Sequence, residues 1–254
     1  MRHTSWVHSP PAPLAEQYLV TGEAPLDPVA DRADVTRLLR LLAARETPTR
    51  VIRVYRPSPV AAFSGSDSNR PGFPDAEATA RERGFPPVVR PAGGKAVVYD
   101  PSCLIAEVFR SPRQPDPRLD FEEVADRLHE LLRGLGLDAR IGELAGEFCP
   151  GRHSINVAGR RKVVGIAQRI YRTASLTSSV VMVRHAPHLR DATAALYAQL
   201  GYPWEESTFG SLEDELPGHL LADLPDLLIA ALTDGPATPC SLDDLEALLG
   251  QPEA

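Results

Sequence analysis

The sequence has few cysteines and no long apolar run. Its 254 residues include three cysteines, of which Cys103 and Cys240 are predicted to be structural, and there is no CxxC pair. This pattern excludes the disulfide framework of small secreted proteins and does not indicate a zinc site. No segment approaches the roughly 20 apolar residues of a membrane span, and the N-terminus lacks a signal-peptide core. We therefore expect a cytoplasmic protein that does not associate with membranes.

The chain also lacks an excess of positive charge. Its net charge is −7 and its pI is near 5.5. Non-specific nucleic-acid binding depends on a cationic surface that neutralises phosphates, so we expect no nucleic-acid partner. A local basic patch over residues 152–172 does not change this expectation, because such a patch is typical of a solvated strand face.

Several familiar catalytic motifs are missing. The chain contains no GxSxG elbow, no Walker-type phosphate loop and no HExxH pair, and its seven histidines are scattered. These absences argue against serine hydrolases, P-loop nucleotide hydrolases and zinc peptidases. We expect no metal site.

The order of predicted elements favours an α+β domain. Helices are predicted where apolar residues recur at helical spacing, and strands where short apolar runs are bounded by turn residues. The predicted helices cover residues 29–45, 73–83, 118–133, 190–200, 219–233 and 242–249, and the predicted strands cover 50–55, 60–63, 88–89, 96–99, 104–109, 154–157, 162–169 and 178–183. Because strands and helices do not alternate steadily, we expect a central, largely antiparallel or mixed sheet flanked by helices.

Proline and helix content divide the chain into three parts. We predict a proline-rich N-terminal arm over residues 1–27 and a catalytic domain over residues 28–200. Residues 201–254 are predicted to form a helical extension that packs on the same domain. No internal repeat is visible, and this length suits one large domain with an appendage.

The first segment that carries chemistry is RPAGGKAVVYD, residues 90–100. Its glycine pair lies between two predicted strands, where backbone N–H groups can approach a ligand closely. Arg90 and Lys95 are candidates to hold a carbonyl or a phosphate. Alone the segment is a weak indication, because a glycine pair between strands is more often a structural turn.

The second segment is EFCPGRHSINVAGRRKVVGIAQR, residues 147–169. Cys149 precedes a Pro-Gly pair, so we expect it in a turn, where its side chain can face a cleft. The thiolate is the reactive form, and Lys162 or His153 is a candidate to stabilise it. A free cysteine is more often a small buried apolar residue, so Cys149 alone does not assign a function.

Together the two segments resemble the biotin/lipoate protein ligase and lipoyl/octanoyl-transferase superfamily. Its first signature, an arginine, a glycine pair, Ala-Val and a strand ending in Asp, is present over residues 90–100. Its second, a Gly-x-Lys-x-x-Gly-x-x-Gln strand, corresponds to residues 160–168, which carry its Lys162, Gly165 and Gln168 and have Arg160 at the position of the first glycine. The Cys-Pro-Gly before that strand is similar to the branch that transfers octanoyl groups through a cysteine, from the glycine-cleavage H protein to 2-oxoacid dehydrogenase subunits. The likeness spans roughly residues 30–200.

The resemblance implies a biotin/lipoate ligase-like catalytic fold and a set of site residues. Cys149 would form a thioester with the acyl group of a donor lysine, and Lys162 would polarise the carbonyl or stabilise the thiolate. Backbone N–H groups near the glycine pair would stabilise the oxyanion. The implied substrate-binding residues are Arg90, Gly93, Gly94, Lys95, Ala96, Gly165, Ala167 and Gln168. The implied partners are lipoyl domains and the H protein, and no cofactor is required.

Three features depart from the family pattern. Tyr99 stands where ligases usually carry a histidine, Lys95 stands where this branch tends to have a small apolar residue, and the strand SCLIAEVF replaces an asparagine-bearing strand. Two alternatives stay open: a lipoate–protein ligase that uses ATP and Mg²⁺ to form lipoyl-AMP, and a non-catalytic relative that binds lipoyl domains. Cys149 favours transfer, because an adenylating ligase does not need it.

Overall fold

The computed structural model describes residues 14–21, 27–113 and 116–250. In these ranges the strands are β1 (Glu16–Val20), β2 (Thr49–Tyr55), β3 (Val60–Phe63), β4 (Pro87–Val89), β5 (Val97–Tyr99), β6 (Cys103–Ser111), β7 (Ala139–Ile141), β8 (Ile155–Val157), β9 (Arg161–Tyr171), β10 (Ala174–Met182) and β11 (Thr238–Cys240). The α-helices are α1 (Pro28–Ala43), α2 (Phe73–Glu82), α3 (Pro117–Gly134), α4 (Pro187–Leu200), α5 (Gly218–Ala222), α6 (Leu224–Leu232) and α7 (Leu242–Leu249).

Most of the strands form one mixed sheet, in the order β11-β1-β2-β6-β10-β9-β8-β7. Strand β1 pairs in parallel with β11 and β2, and the other neighbours are antiparallel. A small second sheet has the order β4-β3-β5, with β3 parallel to β4 and antiparallel to β5. The predicted α+β fold with a central mixed sheet is confirmed.

Helix α1 covers one face of the large sheet. It begins where the Asp27 side chain accepts a hydrogen bond from the Val29 N–H at 2.8 Å, and Pro28 occupies its first turn. Its apolar stripe packs on β2, β6 and β10, because residues at helical spacing share one face. The buried side chains of this contact are Val35, Leu38, Leu39 and Leu42 of the helix and Val51, Phe109 and Leu176 of the sheet.

The opposite face of the sheet is covered by α3 and α6. Side chains alternate along a strand, so β6 presents Leu104, Ala106 and Val108 to this second core. Its intervening side chains, among them Ile105 and Glu107, face the side of α1. In the part of the chain that is described, no helix has the length and apolar content needed to cross a membrane.

A third core joins the small sheet to α2 and α4. It contains Phe63 of β3, Ala76 of α2 and Leu196 of α4, and also Phe148, the residue before Cys149. The cysteine loop, which is the segment between β7 and β8 that contains Cys149, is therefore anchored in this core. The open space between this core and the large sheet is where the candidate site lies.

The structure differs from the predicted elements in three places. The helix predicted over residues 219–233 is interrupted at Asp223, because Pro225 begins a new helix rather than continuing the old one. Residues 16–20, predicted to belong to an arm, form β1 inside the large sheet. Strands β7 and β11, three residues each, were not predicted, because so short a run shows no periodicity. Residues 1–13 and 22–26 of the predicted arm lie outside the described residues, and the domain division near residue 200 stays a prediction.

Candidate active site

Cys149 lies in the loop between β7 and β8, with a partly exposed thiol that lines a cavity. Its backbone φ is +40°, a left-handed conformation that residues other than glycine seldom adopt. The Cys149 N–H donates a hydrogen bond to the Tyr197 hydroxyl at 2.5 Å. Backbone strain of this kind persists only where the surrounding contacts hold it, and it concentrates at functional positions.

The thiol faces the loop between β4 and β5. The Lys95 backbone N–H donates to Cys149 Sγ at 3.2 Å, and Arg90 Nη2 lies 3.9 Å from the same sulfur. Gly94 allows this approach, because its φ is +99° and a Cβ there would lie 2.7 Å from Sγ. A Cβ at Gly93 would meet open space. The two glycines of the pair therefore have different roles.

The side chains of Arg90 and Lys95, the two cations of this loop, both contact other residues of the protein. Arg90 donates to the carbonyl oxygens of Ala62 and Gly93 at 2.8 Å each and to that of Lys95 at 2.9 Å. The Lys95 ammonium lies 4.6 Å from the centroid of the Tyr202 ring, a cation–π contact. Arg90 thus shapes the loop, and the Lys95 side chain is directed to an aromatic ring rather than into the cavity.

Lys162 lies behind Cys149, with a side chain that is 1% exposed. Its Nζ donates to the carbonyl oxygens of Phe148 and Cys149 at 2.8 and 2.7 Å and to Glu147 Oε1 at 3.1 Å. These three acceptors match the three N–H groups of an ammonium. Burial lowers the pKa of Lys162, while the neighbouring Cys149 and Glu147 oppose that shift. The ammonium therefore holds the peptide carbonyls on both sides of the Cys149 Cα.

Glu147 is the fully buried partner of Lys162, and it closes the cysteine loop. Besides the ammonium, its carboxylate accepts from three groups of the same loop. These donors are the Leu144 N–H at 3.0 Å, the Gly151 N–H at 3.2 Å and the Ser154 hydroxyl at 2.6 Å. Because every donor lies within residues 144–162, one carboxylate fixes the whole turn around the thiol.

A cavity of about 110 Å³ extends from Cys149 between the large sheet, α1 and the small sheet. This volume is several times what one water molecule needs. Three neighbouring rows of the sheet contribute to its lining, the third through Leu176. The row nearer to Lys162 contains Gly165, Val180 and Ile105, and the next row contains Ala167, Ser178 and Glu107. The lining is therefore apolar beside Lys162, polar at Ser178 and Glu107, and apolar again at Leu176, two residues before Ser178 on β10.

The structure brings part of the predicted site together around this cavity. The predicted residues that line it are Arg90, Cys149, Gly165 and Ala167. Gly93, Gly94, Lys95 and Ala96 form the loop against the thiol, and Gln168 lies outside the lining. His153 packs against Phe121, with ring centroids 4.4 Å apart, so it is not the partner of the thiol. The catalytic roles of these residues stay predictions.

Sequence analysis missed Glu147 and Tyr197. The Tyr197 hydroxyl joins Cys149 to the other loop, because it also donates to the Ala96 carbonyl at 3.2 Å. Tyr197 belongs to the apolar face of α4 and follows Cys149 by 48 residues, so no local pattern marks it. Among the residues that the structure describes, no three His, Cys, Asp or Glu side chains cluster as metal ligands.

Comparison with known proteins gives one family and several relatives. The family model of the lipoyl protein ligase A/B catalytic domain matches residues 35–217. An octanoyl-[GcvH]:protein N-octanoyltransferase of Exiguobacterium sp. is 26% identical over 195 residues, which cover 76% of this chain and 68% of that protein. The protein of the same name from Geobacillus kaustophilus is 26% identical over 180 residues, 70% of this chain and 62% of the relative.

Solved structures show the same fold. A lipoate-protein ligase A bound with ATP superposes with a TM-score of 0.68 at 22% identity, covering 92% of this chain and 94% of that one. A bi-partite lipoate protein ligase from Thermoplasma acidophilum gives 0.68 at 19% identity, covering 92% and 91%. At this identity the likeness concerns the fold alone.

Proposed function

The chain belongs to the lipoyl protein ligase A/B catalytic domain family, and we propose that it is an acyltransferase that moves an octanoyl group between lysines of lipoyl-carrier proteins through a thioester on Cys149. The geometry of Cys149 carries this proposal. Its thiol lines a cavity, faces a backbone N–H at 3.2 Å, and is held in a left-handed conformation. The names of the relatives support octanoyl transfer and identify the GcvH protein as a substrate of those enzymes.

The first half-reaction forms the thioester. The Cys149 thiolate attacks the carbonyl carbon of the donor's acyl-lysine amide, the C–N bond breaks, and the lysine leaves as an amine after taking up a proton. The Lys95 N–H lies beside Sγ, where it can donate to the oxyanion of the tetrahedral intermediate. Gly94 supports this step because it lets the N–H come close to the sulfur.

The second half-reaction returns the enzyme to its starting state. The lysine amine of the acceptor attacks the thioester carbonyl, loses a proton, and displaces the Cys149 thiolate. One amide is broken and one amide is formed over the full cycle. The exchange therefore needs no ATP and no cofactor, whereas a ligase that starts from a free acid does.

Lys162 has a positioning role in this proposal. Its three N–H groups are occupied by Glu147 and by the carbonyl oxygens of Phe148 and Cys149. It therefore has no free N–H to offer to a substrate carbonyl, although its positive charge still favours a nearby thiolate. We assign the oxyanion contact to the Lys95 backbone and the placement of Cys149 to Lys162.

The cavity beyond the thiol is the binding site for the acyl chain. Its nearer row, Gly165, Val180 and Ile105, offers apolar and small side chains to the first methylene groups. Each buried methylene contributes about 0.8 kcal/mol. The protein parts of the substrates are the octanoylated H protein as donor and lipoyl domains of 2-oxoacid dehydrogenase subunits as acceptors.

The test is octanoyl transfer from octanoylated H protein to an apo-lipoyl domain, without ATP, followed by the mass of the acceptor. We expect transfer by the wild type and a loss of at least about 10³-fold in Cys149→Ala, because no other group takes over the nucleophile's role. Cys240→Ala is the matched control, since Cys240 is a partly buried cysteine on strand β11.

A parallel reaction with free octanoate, ATP and Mg²⁺ separates transfer from ligation. Modification that requires free acid and ATP and survives Cys149→Ala identifies a ligase and overturns the proposal. A wild-type protein that binds lipoyl domains but modifies none under either condition identifies a non-catalytic relative.

A further inference from the structure

The cavity narrows along the sheet as it extends away from Cys149. On β9, β10 and β6, three residues of the first row, nearer to Lys162, and three residues of the second row line it. In the third row Leu176 lines it, whereas the residues in register with Leu176, Arg169 of β9 and Phe109 of β6, do not. Among the described residues, the sheet therefore contributes a single side chain to the inner end of the cavity.

Two buried apolar side chains close this inner end. Leu176 is 2% exposed, and Val35 of α1, which also lines the cavity, is 5% exposed. Both belong to the core between α1 and the sheet, together with Leu39 and Phe109, which do not line the cavity. Because such a core is close-packed, a chain that reaches Leu176 and Val35 cannot extend further without displacing core side chains.

The first row of the sheet lies beside the cysteine loop. A Cβ at Gly165 would lie 3.7 Å from Lys162 Nζ, which donates to the Cys149 carbonyl oxygen at 2.7 Å. Val180 of this row and Leu176 are both on β10. At about 3.3 Å per residue, Leu176 lies about 13 Å along the strand from Val180. The cavity therefore offers an acyl chain about that length of sheet.

An octanoyl chain matches this length. From its carbonyl carbon to its methyl group it spans about 9 Å when extended, given C–C bonds of about 1.5 Å. A methyl group in apolar contact with Leu176, about 4 Å away, lies at that distance from the first row. The chain passes the second row, where Glu107 keeps its ion pair with Arg53 at 2.9 Å. Since every longer chain passes the same row, the second row does not distinguish octanoyl from longer chains.

We propose that Leu176 and Val35 set the upper limit of the acyl chain, so that octanoyl is accepted and dodecanoyl is excluded. This inference rests on the proposed acyl transfer through Cys149, and it adds the residues that select the chain. Leu176 closes the cavity from the sheet and Val35 closes it from α1. A longer chain has to bend back or displace the core, and overpacking a close-packed core is unfavourable.

The experiment measures kcat/KM for H protein that carries hexanoyl, octanoyl, decanoyl or dodecanoyl lysine, with an apo-lipoyl domain as acceptor and no ATP. We expect the wild type to use octanoyl at least about tenfold better than dodecanoyl. Leu176→Ala removes the end of the cavity. We expect it to raise the dodecanoyl-to-octanoyl ratio at least about tenfold, because each methylene group that the enlarged cavity buries contributes about fourfold.

Leu39→Ala is the matched control for this variant. It makes the same change in the same core, at a side chain that is 3% exposed but does not line the cavity. We expect its dodecanoyl-to-octanoyl ratio to stay within about twofold of the wild type. Val35→Ala is a smaller truncation, which keeps the test available if Leu176→Ala does not fold, and it should raise the ratio about fourfold or more. Thermal unfolding shows which variants are folded.

Each outcome has a distinct meaning. A wild type that uses dodecanoyl as well as octanoyl overturns the inference and leaves the acyltransferase proposal standing. A ratio that is unchanged in the folded Leu176→Ala and Val35→Ala variants also overturns it, because the limit would then lie elsewhere. An equal rise in Leu39→Ala overturns it as well, since a general loosening of the core would explain the change. No transfer of any chain overturns the proposed function and the inference with it.

Discussion

Two buried ion pairs lie near the cavity, one behind the thiol and one in the polar row of its lining, and the two pairs are built differently. At the thiol end, the Lys162 ammonium has three acceptors and the Glu147 carboxylate has four donors. In the polar row, Glu107 has one good donor among the described residues, Arg53, and a second, Ser178, at 3.5 Å. Both pairs lie almost entirely away from solvent.

The difference indicates what each pair does. A buried pair whose hydrogen bonds are all made resists any change of geometry, and it suits the placement of a nucleophile. A buried carboxylate with fewer hydrogen bonds is less stabilised in its charged form, so it takes up a proton more easily.

The largest effect is expected from Lys162→Met. The change leaves Glu147 as an unpaired buried carboxylate, and we expect the free energy of unfolding to fall by about 3–5 kcal/mol. Urea denaturation measures it. Lys95→Met is the control, because within the described residues the Lys95 ammonium contacts the face of Tyr202, and we expect a loss of about 1 kcal/mol or less there. A similar small loss in both variants would show that the thiol end is not rigidly built.

The glycine pair tests the approach of the loop to the sulfur. In Gly94→Ala, a Cβ would meet Cys149 Sγ at 2.7 Å in a backbone with φ +99°. We expect the unfolding free energy to fall by about 1–3 kcal/mol and transfer to slow by about 10²-fold. Gly93→Ala, where a Cβ meets open space, should stay within about 0.5 kcal/mol of the wild type. Equal losses of unfolding free energy and of transfer rate in the two variants would contradict the assigned contact between Gly94 and Cys149 Sγ.

Tyr197→Phe tests the hydroxyl that joins the two loops. The change removes the acceptor of the Cys149 N–H and the donor to the Ala96 carbonyl, both in buried surroundings. We expect a loss of about 1–3 kcal/mol in unfolding free energy, together with faster alkylation of Cys149 because its loop is less constrained. Thermal unfolding and the rate of reaction with iodoacetamide measure these effects, and unchanged values for both would remove Tyr197 from the site.

The protonation of Glu107 should make the stability of the protein depend on pH. The pKa of Glu107 is raised to about 7 in the folded protein, above its ordinary value, so the folded state binds more protons than the unfolded state over this interval. The free energy of unfolding therefore falls as pH rises from about 4.5 to 7. Arg53, Asp31 and Ser178 are the charged and polar groups that face Glu107. In Glu107→Gln the unfolding free energy should depend less on pH over this interval. Parallel curves of unfolding free energy against pH for the variant and the wild type would contradict the assignment of the effect to Glu107.

Much of the fold was predictable because its causes are local. The strand predicted over 60–63 and the helix predicted over 242–249 match β3 and α7, where apolar spacing and turn residues lie within the segment itself. The strand over 16–20 was not predicted, because its stability comes from pairing with β2 and β11, which are distant in sequence. Propensity cannot indicate such a partner.

The sequence by itself determined the superfamily, the mixed-sheet fold, and the position of Cys149 in a turn between strands. These conclusions depend on motif residues at short spacing. Tertiary structure decided what those residues touch: Lys162 holds the cysteine backbone, the Lys95 N–H rather than its side chain meets the sulfur, and Glu107 lines the same cavity as Cys149. The physical reason is distance along the chain. Tyr197 meets Ala96 across 101 residues and Ser178 meets Glu107 across 71, and only packing brings such residues together.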